Sequence, residues 1–468
     1  MKVSATGSSV VSRSEGIAVL RVAVVGSGPS GVYTAQSLVQ QDPEVLVDVL
    51  DRLPAPYGLV RYGVAPDHEK IKSLQNSLRT VLEHERVRFL GGVPVGSGPG
   101  ELPGARLREL YHAVVYCVGA ATDRHLGIPG EELPGSWSAT QFVSWYSAHP
   151  DAVADTFVHG ARTAVVIGVG NVAVDVARML ARGPAELSPT DMPQAALTAL
   201  TANRVTDIHM VGRRGPSQAR FTTKELRELG SLPDTQVVVD EAESALDPGY
   251  ADPSALPAAQ RRNVEALRGW AALPPTGAGR RIRLRFFRRP VELLAAGGRV
   301  GAVRFERTVP DGTGGVTGTG QYEDIEAQLV LRSVGYRGVP VDGLPFDAVL
   351  GTVPHLAGRV LRDGRPSPGE YVAGWIKRGP TGVIGTNRPC AKETATSLLA
   401  DAAGLVRRER PGDPLIELRA AGFRPVGWAG WQAIERAEAE LGATLGRGTV
   451  KLPDWESLLA AAQGADAP

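Results

Sequence analysis

The feature that most limits what this chain can become is a strand–glycine-loop–helix unit that occurs twice. The first opens on Val22-Ala23-Val24-Val25, a continuous apolar run rich in β-branched residues, as a strand buried on both faces requires. It runs into Gly26-Ser27-Gly28-Pro29-Ser30-Gly31, then helix-compatible sequence from Val32 to Leu38, then a strand from Val45 to Leu50 that ends at Asp51. The second opens on Thr163-Ala164-Val165-Val166-Ile167 and continues through Gly168-Val169-Gly170-Asn171-Val172-Ala173 into a helix reaching Leu180. Its next strand, Asp207 to Val211, is followed by Gly212-Arg213-Arg214, and Pro184, Pro189 and Pro193 mark an insertion before it. Two such βαβ units predict an α/β chain with two Rossmann-like nucleotide-binding domains.

The spacing has a mechanical purpose. The first glycine makes a tight turn, the second lets a pyrophosphate approach the backbone, and the third lets helix close on strand. Free N–H groups at the helix N-terminus then favour the phosphates. Gly26, Gly28 and Gly31 fill these places in the first unit, with Ser30 as a further donor and Asp51 placed to accept from ribose hydroxyls. An acid there repels a 2′-phosphate, so this unit is expected to hold FAD or NAD. In the second unit Gly168 and Gly170 take the first two places and Ala173 the third. Arg213 and Arg214 stand where an acid would select NAD, and two guanidinium groups suit a 2′-phosphate. NADP(H) is the expected ligand.

A third strand-to-glycine junction, Tyr371 to Trp375 leading into Gly379 to Asn387, precedes helix-forming sequence through Leu399. Its position suggests that the C-terminal third returns to the first domain. The expected organisation is a loose extension over 1–20, an FAD domain made of 21–120 and 336–468, and an inserted NADP domain over 121–335. Apolar runs at Ala113 to Val118 and Gln328 to Val334 are expected at the crossings, and 240–280 reads as helix and loop.

Composition narrows the chemistry. At 468 residues two or three domains are expected, and a net charge of +1 argues against a nucleic-acid binder. No apolar run approaches the roughly 20 residues of a membrane helix. Only Cys117 and Cys390 are present, which suits a reducing, cytoplasmic setting. There is no CxxC pair, and there are too few thiolates for an iron–sulfur cluster. Any electron-carrying centre is then a bound organic cofactor or lies on another protein, and no metal site is expected.

Several longer stretches carry a resemblance. The first glycine loop, the run from Tyr57 to His68, Gly170 to Ala173, Val211 to Pro216 and Trp375 to Asn387 resemble adrenodoxin-reductase-type ferredoxin–NADP⁺ reductases, most closely the bacterial ones. The likeness covers most of residues 21–400 in order. It implies that Ser30, Asp51, Leu59 and Val93 contact FAD, with Trp375, Gly382, Val383 and Ile384 over the isoalloxazine. It implies that Arg124, Asn171, Val172, Ala173, Arg213, Arg214 and Glu225 contact NADPH, with His68 and Glu225 nearest the hydride-transfer region. The chain departs from the pattern at Asp51, where a Glu is usual, and at Val169, which replaces a polar residue.

The cofactors would carry the hydride chemistry, leaving the protein to align rings and exclude water. Taken alone, His68 reads equally as a histidine satisfying a loop carbonyl, and Glu225 as an exposed helix acid. The basic run Arg280 to Arg289 alternates Ile282, Leu284 and Phe286 with arginines, a strand with one cationic face. That face is either solvated or, through Arg281, Arg283 and Arg285, a dock for an acidic ferredoxin. A flavin diaphorase or monooxygenase, and a non-catalytic NADPH-sensing flavoprotein, are the competing readings.

Overall fold

A computed structural model of the chain describes residues 19–120, 122–153, 157–158, 160–407, 410 and 412–463. The extension expected over 1–20 lies outside these apart from its last two residues.

Two sheets organise the molecule. The first has seven strands, in spatial order His355–Leu356, Arg359–Arg362, Arg365–Val372, Ala113–Tyr116, Arg21–Val25, Leu46–Leu50 and Val87–Leu90. Arg21–Val25 lies parallel between Leu46–Leu50 and Ala113–Tyr116, and Val22 and Val24 have no exposed surface. That burial on both faces is why the run is continuously apolar rather than alternating. Arg365–Val372 joins the same sheet, with Tyr371 beside Val115 and Val372 beside Tyr116. Its C-terminal helix, Asn387–Leu405, then packs on the first glycine-loop helix, Pro29–Gln41.

The second sheet has six parallel strands, in order Ser136–Ser138, Leu329–Arg332, Thr163–Ile167, Asp207–Val211, Arg280–Arg285 and Thr235–Val239. One nucleotide-binding lobe is thus inserted in the chain of the other. The runs at 113–118 and 328–334 are interior strands, Ala113–Tyr116 and Leu329–Arg332, from which the chain then crosses. At the crossing Thr122–Asp123 pairs with Tyr336–Arg337 as a two-stranded antiparallel ribbon.

The sequence reading did not foresee a three-stranded antiparallel sheet, Arg288–Ala296, Arg299–Pro310 and Val316–Glu326. Val303 and Phe305 from its middle strand close a small core with Val165 and Ile167 of the second sheet. The segment 240–280 is helical and looped as expected, with its longest helix at Ala258–Ala271. Among the described residues no helix is long and apolar enough to cross a membrane.

Candidate active site

At the first glycine loop the chain turns off strand Arg21–Val25 with Gly26 at φ +107°, where a Cβ would stand 2.6 Å from the Cys117 carbonyl oxygen. A Cβ on Gly31 would run into the Gly26 carbonyl, so the helix closes on the loop only because residue 31 has none. Helix Pro29–Gln41 begins at Gly28 with no side-chain cap, leaving its first N–H groups free of side-chain acceptors. Asp51 faces the loop: Ser27 donates its N–H (2.8 Å) and Oγ–H (2.5 Å) to one carboxylate oxygen, and the Leu53 N–H reaches the other at 2.9 Å. Burial raises the Asp51 pKa, and those three bonds oppose the rise. Val93, buried, donates its N–H to the Asp51 carbonyl, while Leu59 is half exposed at the start of helix Leu59–Tyr62.

The second loop repeats the geometry with one change. A Cβ on Gly168, at φ +143°, would strike the Ser333 carbonyl, whereas a Cβ on Gly170 would project into open space. Ala173 is buried without conflict, so this helix stands far enough from its strand to accept a methyl group. Asn171 accepts a hydrogen bond from the Thr222 N–H at 2.8 Å, which ties the start of helix Asn171–Ala181 to the start of helix Thr223–Leu229. Val172 is half-buried against the lobe's main core. Arg213 is exposed and Arg214 half-buried, and neither forms an ion pair among the described residues. Burial, then repulsion from Arg213 and Arg220, lowers the Arg214 pKa. Arg220 is a third cation of this cluster that the sequence reading missed, seven residues beyond Arg213.

Between the lobes lies a dense charge network. His68, buried at the head of helix Glu69–Lys72, holds Glu228 through Nε2 at 2.8 Å and has Asp175 3.9 Å from Nδ1. Glu228 follows Glu225 by one turn of the same helix, so His68 comes from the first lobe and its carboxylates from the second. Arg178 binds Asp175 at 2.6 Å and also Asp67, which Arg182 approaches at 2.7 Å. Burial first, then the neighbouring Glu225 and Glu228, push the Asp175 carboxyl up to about 7, against the pull of His68. Glu225 is buried and its Oε2 has no hydrogen-bond partner. Sequence offered no signal for Asp175, Glu228 and Arg178, because they meet His68 and Asp67 from more than a hundred residues away.

The third junction closes over the first loop. Gly374, at φ +79°, leaves no room for a Cβ beside Ser30, whose own Oγ is buried without a hydrogen bond of good geometry. Trp375 stacks obliquely on Tyr336 of the crossing ribbon, with centroids 5.4 Å apart and planes at 32°. Gly382 is pinned beside Thr386, Val383 is 61% exposed, and Ile384 leans on the first lobe's core. Arg124 is exposed beside the same ribbon, its N–H bonded to the Gly335 carbonyl.

Comparison with known proteins agrees with this geometry. Residues 20–228 match the family model for pyridine nucleotide-disulphide oxidoreductases. The chain is 45% identical over 465 residues to the NADPH-ferredoxin reductase FprA of Mycobacterium tuberculosis, covering 94% of this chain and 98% of that protein. It is 41% identical over 460 residues to the human mitochondrial NADPH:adrenodoxin oxidoreductase, covering 94% and 91%. The solved structure of Mycobacterium tuberculosis FprA in complex with NADPH superimposes with a TM-score of 0.89 at 42% identity, over 95% of this chain and all of that one. The chain belongs to the adrenodoxin-reductase-type family of NADPH–ferredoxin reductases.

The residues present fit the cofactors of such a reductase, FAD and NADP(H). The uncapped helix start, the Gly28–Gly58 approach and the orphaned Ser30 Oγ suit FAD at the first loop. Open space at Gly170, three guanidinium groups with no carboxylate in ion-pair contact among the described residues, and an orphaned Glu225 oxygen suit NADP(H) at the second. The name of the matched model does not carry a disulfide function here, since Cys117 and Cys390 are both free and burial pushes the Cys117 thiol up to about 12.

The basic strand has partners of its own. Ile282 and Leu284 are buried as the alternation required, but the facing arginines are not a free cationic surface. Arg281 and Arg283 share Asp207 at 2.9 and 3.1 Å, and Arg285 binds Glu323 at 2.8 Å with Glu243 at 3.5 Å. The strand is flanked on both sides in its sheet, and the carboxylates come from a neighbouring strand, a helix and the antiparallel sheet.

Proposed function

We propose that the protein is an FAD-dependent NADPH:ferredoxin oxidoreductase, passing hydride between NADPH and FAD and single electrons between FAD and a ferredoxin. Bound FAD supplies the conversion from a two-electron donor to one-electron steps. The observation that carries the reading is the pair of glycine-loop sites on two lobes, meeting at a shared charge network, in a chain 45% identical over nearly its whole length to a named ferredoxin reductase.

The chain's own residues bind, orient and exclude water. Gly26, Gly28, Ser30 and Gly31 receive the FAD pyrophosphate, Asp51 its ribose, and Leu59 and Val93 its flanks. Gly170, Asn171, Val172 and Ala173 receive the NADPH pyrophosphate, and Arg213 with Arg214 the 2′-phosphate, Arg124 lying farther along the ribbon. Trp375 and Gly382 to Ile384 shield the flavin from solvent. Glu225 orients the nicotinamide carboxamide, for which a buried carboxylate oxygen lacking a donor is suited. His68 hydrogen-bonds Glu228 through Nε2 at the lobe contact and fixes the two lobes in register. We place the lobe boundaries near residues 120 and 336, where the ribbon crosses, and the protein in the reducing cytoplasm that two free thiols suit.

The electron acceptor is an acidic iron–sulfur partner; Arg281, Arg283 and Arg285 are already engaged by Asp207, Glu323 and Glu243, which argues against them as its main dock. Anaerobic addition of NADPH to the FAD-loaded protein tests the hydride step. Bleaching of the flavin band within seconds supports it, and a flavin indifferent to NADPH points instead to the non-catalytic reading.

A further inference from the structure

The two lobes also touch at a buried group of charges that the redox reading does not use. There a cavity of about 400 Å³ lies between Arg61 and Lys72 of the first lobe, the loop Pro189 to Asp191 of the second, and the C-terminal segment that holds Glu438 and Lys451. Arg61 makes a two-point contact with Glu438, at 2.6 and 3.2 Å, and its guanidinium lies 4.9 Å from the Trp431 ring centre. Lys72 pairs with Asp191. Arg61, Lys72 and Lys451, all buried or nearly so, face Glu438 and Asp191, while Glu69 and Glu435 also line the cavity. Lys451 has no carboxylate to itself, since it shares Asp191 with Lys72.

It is satisfied by carbonyl oxygens from both lobes. Its Nζ donates to the Arg61 carbonyl at 2.6 Å and to the Ser147 carbonyl at 3.3 Å, with Asp191 at 3.4 Å. Its own N–H donates to the Asp191 carbonyl at 3.1 Å. The same segment is stitched down on either side: Arg447 donates to the Thr190 and Met192 carbonyls, and the Leu452 N–H reaches Glu438 at 2.9 Å. The proline-bearing insertion after the second glycine-loop helix thus has a partner, the last forty residues of the chain. Burial, helped by Lys72 and Arg61 and opposed by Asp191, brings the Lys451 pKa down to about 7.

We propose that Lys451 is a positioning residue for the hydride step, a buried key that sets the angle between the lobes and hence the fit of NADPH against the flavin. This rests on the reductase reading. The route is short. The Arg61 carbonyl belongs to helix Leu59–Tyr62, whose preceding Gly58 lies against Gly28 of the first glycine loop. The same stretch runs on to Asp67 and His68, which meet Arg178 and Glu228 of the second lobe. On the other side, Ser147 ends helix Ala139–Tyr146, which packs on the second glycine-loop helix. One ammonium therefore links the supports of both cofactor loops. Removing it frees the lobe angle without touching a group that contacts either cofactor, so it loosens NADPH binding more than it slows turnover.

The test uses the FAD-loaded protein and its Lys451→Met and Lys451→Arg variants, with ferricyanide as an acceptor that needs no ferredoxin. Met fills the volume without leaving a buried charge. The expected result is a roughly five- to twentyfold rise in KM for NADPH in Lys451→Met with kcat within twofold, and recovery of most of that rise in Lys451→Arg. Hydrogen exchange at the amides of Ser147, Asp191 and Met192 should quicken in Lys451→Met, with no change at Val24 or Val166. Should Lys451→Met fail to retain FAD, Arg447→Gln loosens the same segment and should raise KM in the same direction. An unchanged KM, an equal loss of kcat and kcat/KM that Arg does not rescue, or exchange that quickens throughout both sheets overturns the proposal. Absence of NADPH oxidation by the wild type counts against the reductase reading instead, and the exchange pattern still decides the role of Lys451 as a link.

Discussion

Arg214→Ser is the most informative single change, because its effect follows from charge already visible in the structure. Arg213, Arg214 and Arg220 form a cluster with no carboxylate in ion-pair contact among the described residues, and their mutual repulsion contributes to the lowered Arg214 pKa. Such a cluster is satisfied only when an anion arrives. A charge-assisted hydrogen bond to a phosphate contributes about 1.5–3 kcal/mol, so losing one guanidinium should weaken NADPH by roughly ten- to 150-fold. NADH has no 2′-phosphate and should lose almost nothing. The assay is ferricyanide reduction at fixed ionic strength with each dinucleotide in turn, giving kcat/KM for both. The predicted signature is a fall in the NADPH-to-NADH ratio of one to two orders of magnitude, carried by KM, with a smaller wild-type ratio at high salt. Equal losses with the two dinucleotides, or no loss with either, would refute the assignment of this cluster to the 2′-phosphate.

Further outcomes follow from the same geometry. Gly31→Ala places a Cβ in the Gly26 carbonyl and should abolish FAD retention, read from the flavin absorbance of the purified protein, while Gly170→Ala meets open space and should keep its melting temperature but raise KM for NADPH. Arg283→Ser with Arg285→Ser should leave the ferredoxin-dependent and ferricyanide rates equally intact, since these arginines are already held by Asp207, Glu323 and Glu243; a selective loss of the ferredoxin rate would identify them as a dock. Asp175 carries a folded-state pKa near 7 against an ordinary value of 3.8, so the folded protein keeps a proton that the unfolded chain releases. Its contribution to stability is therefore full below about pH 4 and lost as pH rises through 7. Denaturant melts at pH 5 and pH 8 should differ less in Asp175→Asn than in the wild type, and an unchanged difference would contradict the burial argument.

How much of this was legible in the sequence depended on whether the signal was local. Both glycine loops, their flanking strands and the return of Tyr371–Val372 to the first sheet could be read because each is a contiguous pattern with a single physical cause. Ala173 in place of a third glycine was also readable, and the structure buries its methyl group in the second lobe's core. The alternation of Ile282 and Leu284 was real, but the partners of the facing arginines were not visible. Asp207 lies 74 residues before Arg281 and reaches it only through the parallel register of the sheet. The network around His68 and the buried Lys451 were hidden for the same reason: each gathers side chains from both lobes, and nothing in the local pattern announces them. The antiparallel sheet at 288–326 escaped because its strands are largely exposed and charged, with bulges that break a clean period of two.

The central claim is that electrons leave this protein singly, to an iron–sulfur carrier. The most direct measurement is NADPH-driven cytochrome c reduction by the FAD-loaded protein, with and without a two-iron, two-sulfur ferredoxin over a range of concentrations. A large, saturable stimulation by ferredoxin is the predicted result. A rate indifferent to ferredoxin across a panel of such carriers, with quinones or oxygen taking the electrons instead, would contradict it and make the protein a diaphorase.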